Sequence, residues 1–268
     1  MAYNRLTCFI FSTTVLFICS CNNNSDNSNT IVQPIPKEQQ LKNAVSQYPD
    51  SLLLIENLIE YYRNNGSYDT AISLTDRAIK RDSENVELWD IKGTLLYENG
   101  DTLKSIKAYE TAINIYPLPE YIISLGTLYA QTKNPKALTM ADALLIADKA
   151  KAQREALFIK GLYYAYTSNK QKAINFFDSC ISIDYTYMFA YREKAIALYD
   201  MGKYGSALEV LNRSVTIQNN FDEGYYWRGK CYEKLDRKQD AIENYQMALL
   251  YDKNFIEAKE ALARLSGK

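Results

Sequence analysis

The chain has 268 residues, of which 47% are hydrophobic and 24% charged, and its 31 basic and 32 acidic side chains leave a formal net charge of −1. This near balance does not suit a basic nucleic-acid-binding protein or a polybasic protein of membrane surfaces. Histidine is absent, which excludes a catalytic triad or zinc site that needs an imidazole. With only 10 glycines and 6 prolines, the composition favours helices over a sheet with many tight turns.

The first 20 residues have the pattern of a secretory signal. Arg5 is the only charged residue before Asp26, and an apolar stretch runs from Cys8 to Ile18. This stretch is too short to span a bilayer comfortably. We therefore expect residues 1–20 to be a targeting segment that lies outside the folded domain.

The end of this segment, Ile18-Cys19-Ser20-Cys21, resembles the lipobox of bacterial lipoproteins. A lipobox has an aliphatic residue, two small residues and then the cysteine that receives diacylglycerol before cleavage. The resemblance implies that residues 1–20 are a lipoprotein signal peptide and that Cys21 carries the lipid. Two alternatives remain, which are an ordinary signal peptide with an incidental cysteine and an uncleaved anchor.

Residues 21–36 have the composition of a flexible tether. Asparagine, serine, aspartate and threonine fill positions 22–30, so this stretch cannot bury enough apolar surface to fold. Pro34 and Pro36 stiffen its end.

From residue 37 onward the sequence repeats with a period of 34 residues. Ala173, Ala207 and Ala241 recur at this spacing. Each repeat contains two amphipathic stretches with apolar or small residues on one helical face, separated by a short polar break. A glycine or asparagine in the break is expected to end the first helix in the left-handed conformation. These residues are Gly66, Gly100, Asn169 and Gly202.

This pattern resembles the tetratricopeptide repeat (TPR), which has a large residue at position 4, Leu at 7, Gly or Ala at 8, Tyr at 11, Ala at 20, an aromatic at 24 and Ala at 27. One unit shows these features as Leu157, Gly161, Tyr164, Ala173 and Phe177. The resemblance implies an all-α, right-handed α-solenoid of about six helix-turn-helix units with N- and C-terminal capping helices. The predicted bounds are 37–51 for the first cap, 52–85, 86–118, 119–153, 154–187, 188–221 and 222–255 for the units, and 256–268 for the second cap.

The unit at 119–153 is irregular. Its best match places Ala143, Ala147 and Ala150 at positions 20, 24 and 27, which puts Ala143 17 residues after Gly126 where the pattern expects 12. We therefore expect a longer loop between the two helices of this unit, with or without an extra helical turn.

In TPR proteins the first helices of the units line a concave groove that holds a peptide, chiefly through positions 2, 5, 9, 12 and 13. Here the groove positions are acidic in the first two units and aromatic or aliphatic in later ones. We expect a bound segment that is basic at one end and has apolar anchors at the other. The alternative is that Phe158 and Phe189 pack under the inserted loop of the third unit. The candidate groove residues are Glu56, Glu60, Glu87, Asp90, Tyr97, Phe158, Leu162, Tyr166, Phe189, Arg192 and Tyr199.

The sequence contains no phosphate-binding glycine loop, paired-cysteine metal motif or dinucleotide fingerprint, so we expect no catalytic residue, metal or cofactor. The chaperone-binding branch of the TPR family grips a C-terminal carboxylate with Lys and Asn residues. Glu56, Glu60 and Ile91 occupy those positions here. Binding of a chaperone tail is therefore not expected.

Small lipoproteins made of TPR units resemble assembly factors of the bacterial envelope. The leading hypothesis is a membrane-anchored, non-catalytic scaffold for protein–protein interactions, bound to lipid through Cys21. Asn22 after the lipidated cysteine is compatible with an outer-membrane protein that faces the periplasm. The alternatives are a pilotin-like assembly factor for a pilus or secretion channel and a carbohydrate-binding or hydrolytic lipoprotein.

Overall fold

The computed structural model of the chain describes residues 35–267, apart from the side chains of residues 147–151. The described part contains thirteen α-helices and no β-strand, and helices that follow one another in the chain pack together. The prediction of an all-α solenoid is confirmed. The helices are α1 Lys37–Gln47, α2 Leu52–Asn64, α3 Tyr68–Arg81, α4 Val86–Glu98, α5 Thr102–Ile115, α6 Pro119–Gln131, α7 Lys136–Tyr166, α8 Lys170–Ile183, α9 Met188–Asp200, α10 Tyr204–Ile217, α11 Asp222–Lys234, α12 Lys238–Tyr251 and α13 Ile256–Ser266.

A contact between a glycine and an aromatic ring recurs within the helix pairs. A Cβ atom placed on Gly93 would lie 2.6 Å from the ring of Tyr109, and one placed on Gly229 would lie 2.7 Å from the ring of Tyr245. Both rings are buried, so they have little room to move away. Glycine at position 8 thus allows the second helix of the unit to pack closely on the first.

The turns inside the units use left-handed residues, as expected, but not always the predicted ones. Gly66, Gly100 and Gly202 have φ angles of +71°, +86° and +74°. The prediction for Asn169 is wrong, because the left-handed residue of that turn is Ser168, at φ 68°. The side chain of Asn169 instead accepts a hydrogen bond from the backbone N–H of Lys172 and caps the start of α8.

The third unit differs from the prediction in its register. Its two helices are separated only by Thr132–Pro135, so the expected long loop does not exist. The residues that face inward from the second helix are Ala137, Ala141 and Leu144, each with 0% exposure. Their spacing of four and then three residues is that of positions 20, 24 and 27. The sequence contains several alanines at compatible spacings. The assignment of Ala143 to position 20 is wrong, because Ala143 is only half-buried. Residues 147 and 150 have side chains outside the described part.

Helix α7 combines the second helix of the third unit with the first helix of the fourth. Both Met140 and Ile159, near its two ends, lie close to Gly126 of α6. A Cβ atom on Gly126 would be 3.1 Å from Met140 Cβ and 2.9 Å from Ile159 Cδ1. In a straight helix, residues 19 positions apart are about 28 Å apart along the axis. The axis of α7 therefore turns back on itself, and its two halves pack on α6 as two separate helices of a solenoid would.

Candidate functional site

Five carboxylates on the first helices of the first three units form one negatively charged surface, which we call the acidic strip. Glu60, Glu87 and Glu120 are exposed, whereas Glu56 and Asp90 are half-buried. Among the described residues, none of the five forms an ion pair. Glu120 is absent from the predicted set, although its place at position 2 of the third unit could have revealed it.

Four of the five carboxylates of the acidic strip, Glu56, Glu87, Asp90 and Glu120, act on one another. Burial raises the pKa of Glu56, and the charge of Glu87 raises it further. Burial, followed by the charges of Glu120 and Glu87, raises the pKa of Asp90 to about 6, although a hydrogen bond with Tyr109 lowers it in part. The ionised form of these carboxylates is therefore destabilised, and a positively charged ligand would stabilise it.

Arg63 of α2 forms an ion pair with Glu98, a carboxylate that is not part of the acidic strip. Arg63 of α2 donates from Nε to Glu98 Oε2 of α4 at 2.7 Å, and a second bond joins its Nη2 to the other carboxylate oxygen. About a quarter of each side chain is exposed. Since this pair is neutral as a whole, it leaves the charge of the strip unchanged and binds α2 to α4 beside it.

The middle of the concave surface is covered by the chain itself. Leu162 is 2% exposed and Arg192 is 6% exposed, so neither is available as a ligand surface in this structure. Arg192 donates from Nε to Glu193 at 2.9 Å and from Nη1 to Glu223 at 2.5 Å. Six consecutive residues of α6, 125–130, are also buried.

The surroundings of Tyr97 show that side chains from distant units approach one another on the inner surface. Its pKa is raised, first by burial, while a hydrogen bond with Gln131 and the charge of Arg192 lower it and the charge of Glu193 raises it. Tyr97 belongs to the second unit, and Arg192 and Glu193 belong to the fifth. Side chains from units far apart in the chain therefore share one environment inside the superhelix.

The remaining aromatic candidates, Phe158, Tyr166, Phe189 and Tyr199, are half-buried. The ring of Phe158 lies 5.8 Å from that of Phe177 and 5.2 Å from that of Tyr187, so it packs within its own unit. Phe189 lies 5.6 Å from Tyr187. The structure thus gathers the acidic candidates into one strip but does not gather the apolar candidates into one exposed patch.

Two properties of the described residues bear on other functions. No group of three or more Cys, Asp or Glu side chains there is arranged to hold a metal ion. None of the helices there combines the length and apolar character that crossing a membrane requires. Cys21 and residues 21–34 of the tether lie outside the described residues.

Models of the tetratricopeptide repeat match residues 57–118, 155–187 and 222–255. The chain therefore contains tetratricopeptide repeats, and its fold is a TPR solenoid. A tetratricopeptide repeat protein from Parabacteroides merdae has a similar structure, with a TM-score of 0.72 and 23% identity over 86% of this chain and 91% of that one. A thermophilic TPR protein from Thermus thermophilus has a TM-score of 0.59 and 15% identity over 68% of this chain and 100% of that one.

Curated relatives that match the sequence include a DnaJ homolog subfamily C member 7 homolog from Schizosaccharomyces pombe. It is 21% identical over 231 residues, which are 85% of this chain and 44% of that protein. The Hsp70-Hsp90 organizing protein of Triticum aestivum is 22% identical over 85% of this chain and 41% of its own length. The chain thus spans less than half the length of these relatives. The matching family models describe the repeat and no enzyme.

Proposed function

We propose that this protein is a non-catalytic TPR scaffold of the bacterial cell envelope, which binds a basic segment of another envelope protein along the acidic strip. In this proposal Cys21 is acylated and holds the domain at a membrane, the outer membrane on its periplasmic face. The tether that follows Cys21 lets the solenoid reach its partner.

The observation that carries the binding proposal is the acidic strip itself. Five carboxylates from three successive first helices share one surface, and the described part of the chain supplies no cation to pair with them. Burial, and then the charges of Glu120 and Glu87, raise the pKa of Asp90 there. A lysine or arginine of a bound segment would stabilise the ionised carboxylates, and it would also increase the rate of encounter.

Binding is tested with the double variant Glu56→Lys/Glu87→Lys. Its control is Glu209→Lys/Glu243→Lys, which reverses two exposed charges on α10 and α12. Each protein is used to capture partners after crosslinking in intact cells. We expect the first variant to lose the partner that both wild type and control retain. If the first variant retains it fully, the acidic strip is not the binding site.

Anchoring is tested separately, by labelling of cells with radioactive palmitate. Wild-type protein and a Cys19→Ala variant should be labelled, whereas Cys21→Ala should not. The absence of label from the wild type would contradict the proposed anchor and leave the binding proposal unaffected.

A further inference from the structure

A row of five aromatic side chains crosses the C-terminal third of the solenoid. Consecutive ring centroids are 5.2, 5.6, 5.7 and 4.9 Å apart, each within the range of favourable ring contacts. All five residues are half-buried, so part of each remains accessible to solvent. We call this set the ring row, and it consists in order of Tyr204, Tyr199, Trp227, Tyr226 and Phe255.

No cation of the described residues lies over a ring of the ring row. Nine cation–ring contacts occur among the described residues, and Arg237 over Tyr232 at 4.6 Å and Lys172 over Tyr164 at 3.9 Å are examples. None of the nine involves a member of the ring row. The electron-rich faces of these rings are therefore not occupied by the cations of the described residues.

The charges near Tyr226, toward one end of the row, are mainly negative. Burial raises the pKa of Tyr226, and the nearby carboxylates of Glu257, Glu233 and Glu260 raise it further. The one cation that acts on it, Arg264, lowers it. Arg264 is bonded to Glu233 at 2.8 Å, so those two charges cancel. Glu257 and Glu260, which we call the α13 carboxylates, form no ion pair within the described part of the chain.

Partly exposed rings that carry no cation and lie beside unpaired carboxylates are an arrangement that attracts an ammonium or guanidinium group. We propose that the ring row is a second docking site of the scaffold, which takes a Lys or Arg side chain of the bound protein and balances its charge with the α13 carboxylates. This inference rests on the proposed function for the identity of the bound protein. The ring row is a separate surface from the acidic strip, which lies on α2, α4 and α6.

Trp227 makes the proposal measurable, because it belongs to the row and the only other tryptophan is Trp89. In a Trp89→Phe background, the emission of Trp227 is followed while acetylated and amidated hexa-arginine is added. We expect a saturable change in emission. The double variant Glu257→Gln/Glu260→Gln should weaken the apparent affinity at least about fivefold, and Tyr226→Leu should do the same while Tyr226→Phe, which keeps the ring, should not.

Two controls separate this site from the acidic strip and from general charge effects. Glu56→Gln/Glu87→Gln and Glu209→Gln/Glu243→Gln should leave the response of Trp227 unchanged. If hexa-arginine causes no change in emission, or if the Glu257→Gln/Glu260→Gln variant binds as tightly as wild type, the proposal is wrong. An equal response to chitohexaose that does not depend on the α13 carboxylates would also overturn it, because the row would then bind sugar. Each of these failures would leave the proposed role of the acidic strip intact.

Discussion

The ammonium group of Lys160 lies 2.7 Å from the carboxylate of Asp142, although both residues belong to α7. Eighteen positions of straight helix would separate them by about 27 Å along the axis. The ion pair therefore joins the two halves of α7 side by side. This arrangement lets the third and fourth units continue the solenoid without a conventional loop between them.

Distance measurement between spin labels tests this arrangement. Labels are placed at Asp142→Cys and Lys160→Cys in a chain in which Cys8, Cys19 and Cys21 are replaced by Ser. The other two native cysteines, Cys180 and Cys231, are buried. We expect a main distance clearly shorter than the about 27 Å of a straight helix. The control pair is Asp76→Cys with Lys92→Cys, whose native side chains form a 2.7 Å ion pair between α3 and α4 of ordinary units. If the first pair gives a distance well beyond that of the control, α7 does not fold back.

The glycine–aromatic contact predicts that adding a single methyl group to the glycine destabilises the protein. Gly229→Ala would place its Cβ 2.7 Å from the ring of Tyr245, which has 0% exposure and cannot move aside. We expect the free energy of unfolding to fall by about 1–3 kcal/mol, as for other overpacked cores. Denaturant titration followed by circular dichroism measures this change.

The control for that substitution is Gly205→Ala in α10. No atom lies within 4 Å of the Cβ that this change adds, so only the helix propensity of the residue changes. Because Gly205 is the second residue of α10 and not in its middle, we expect Gly205→Ala to raise the free energy of unfolding by no more than about 0.5 kcal/mol. Equal destabilisation by both substitutions would contradict the packing explanation.

The raised pKa of Asp90 predicts that its contribution to the stability of the protein depends on pH. Its pKa of about 6 in the folded protein exceeds the ordinary value of an aspartate, so the folded state binds the proton more tightly than the unfolded state does. Stability attributable to Asp90 therefore falls as pH rises from about 4 to about 6, and the loss is complete above that range. Asp90→Asn removes this cost, and we expect it to stabilise the protein by about 1–3 kcal/mol at pH 7.5 but hardly at all near pH 4.

The comparison is made as the difference between variant and wild type at each pH, which cancels the titration of other groups. Glu209→Gln, an exposed change on α10, serves as the control and should differ little from wild type at either pH. A gain from Asp90→Asn of the same size at pH 4 and pH 7.5 would show that burial of the charged carboxylate is not its cause.

Much of this fold could be predicted from sequence because each unit repeats the same local requirements. The close packing of Tyr245 on Gly229 favours a glycine at that position, and so does the left-handed turn at Gly202. Both requirements are therefore visible in the sequence. The register of the third unit could not be predicted reliably, since Ala137 and Ala143 are equally acceptable by composition. Only the packing of α7 on α6 distinguishes them.

The candidate site was predictable only where it depends on charge. The acidic residues Glu56, Glu87 and Asp90 could be placed by repeat position alone. The burial of Leu162 and Arg192 could not, because it arises from contacts among several units and from the curvature of the whole solenoid. Trp227 was overlooked as a binding residue because its repeat position is outside both the packing pattern and the groove pattern.

The central claim is that the acidic strip contacts a basic segment of a partner protein. The most direct test places a photoreactive benzoylphenylalanine at Glu60, an exposed member of the strip, and at Glu209 on α10 as the control. In intact cells we expect a specific crosslinked protein from position 60 alone, with a basic segment at the crosslinked peptide and loss of the product when Glu56→Lys/Glu87→Lys is added. The same product from position 209, or its persistence after charge reversal, would contradict the claim.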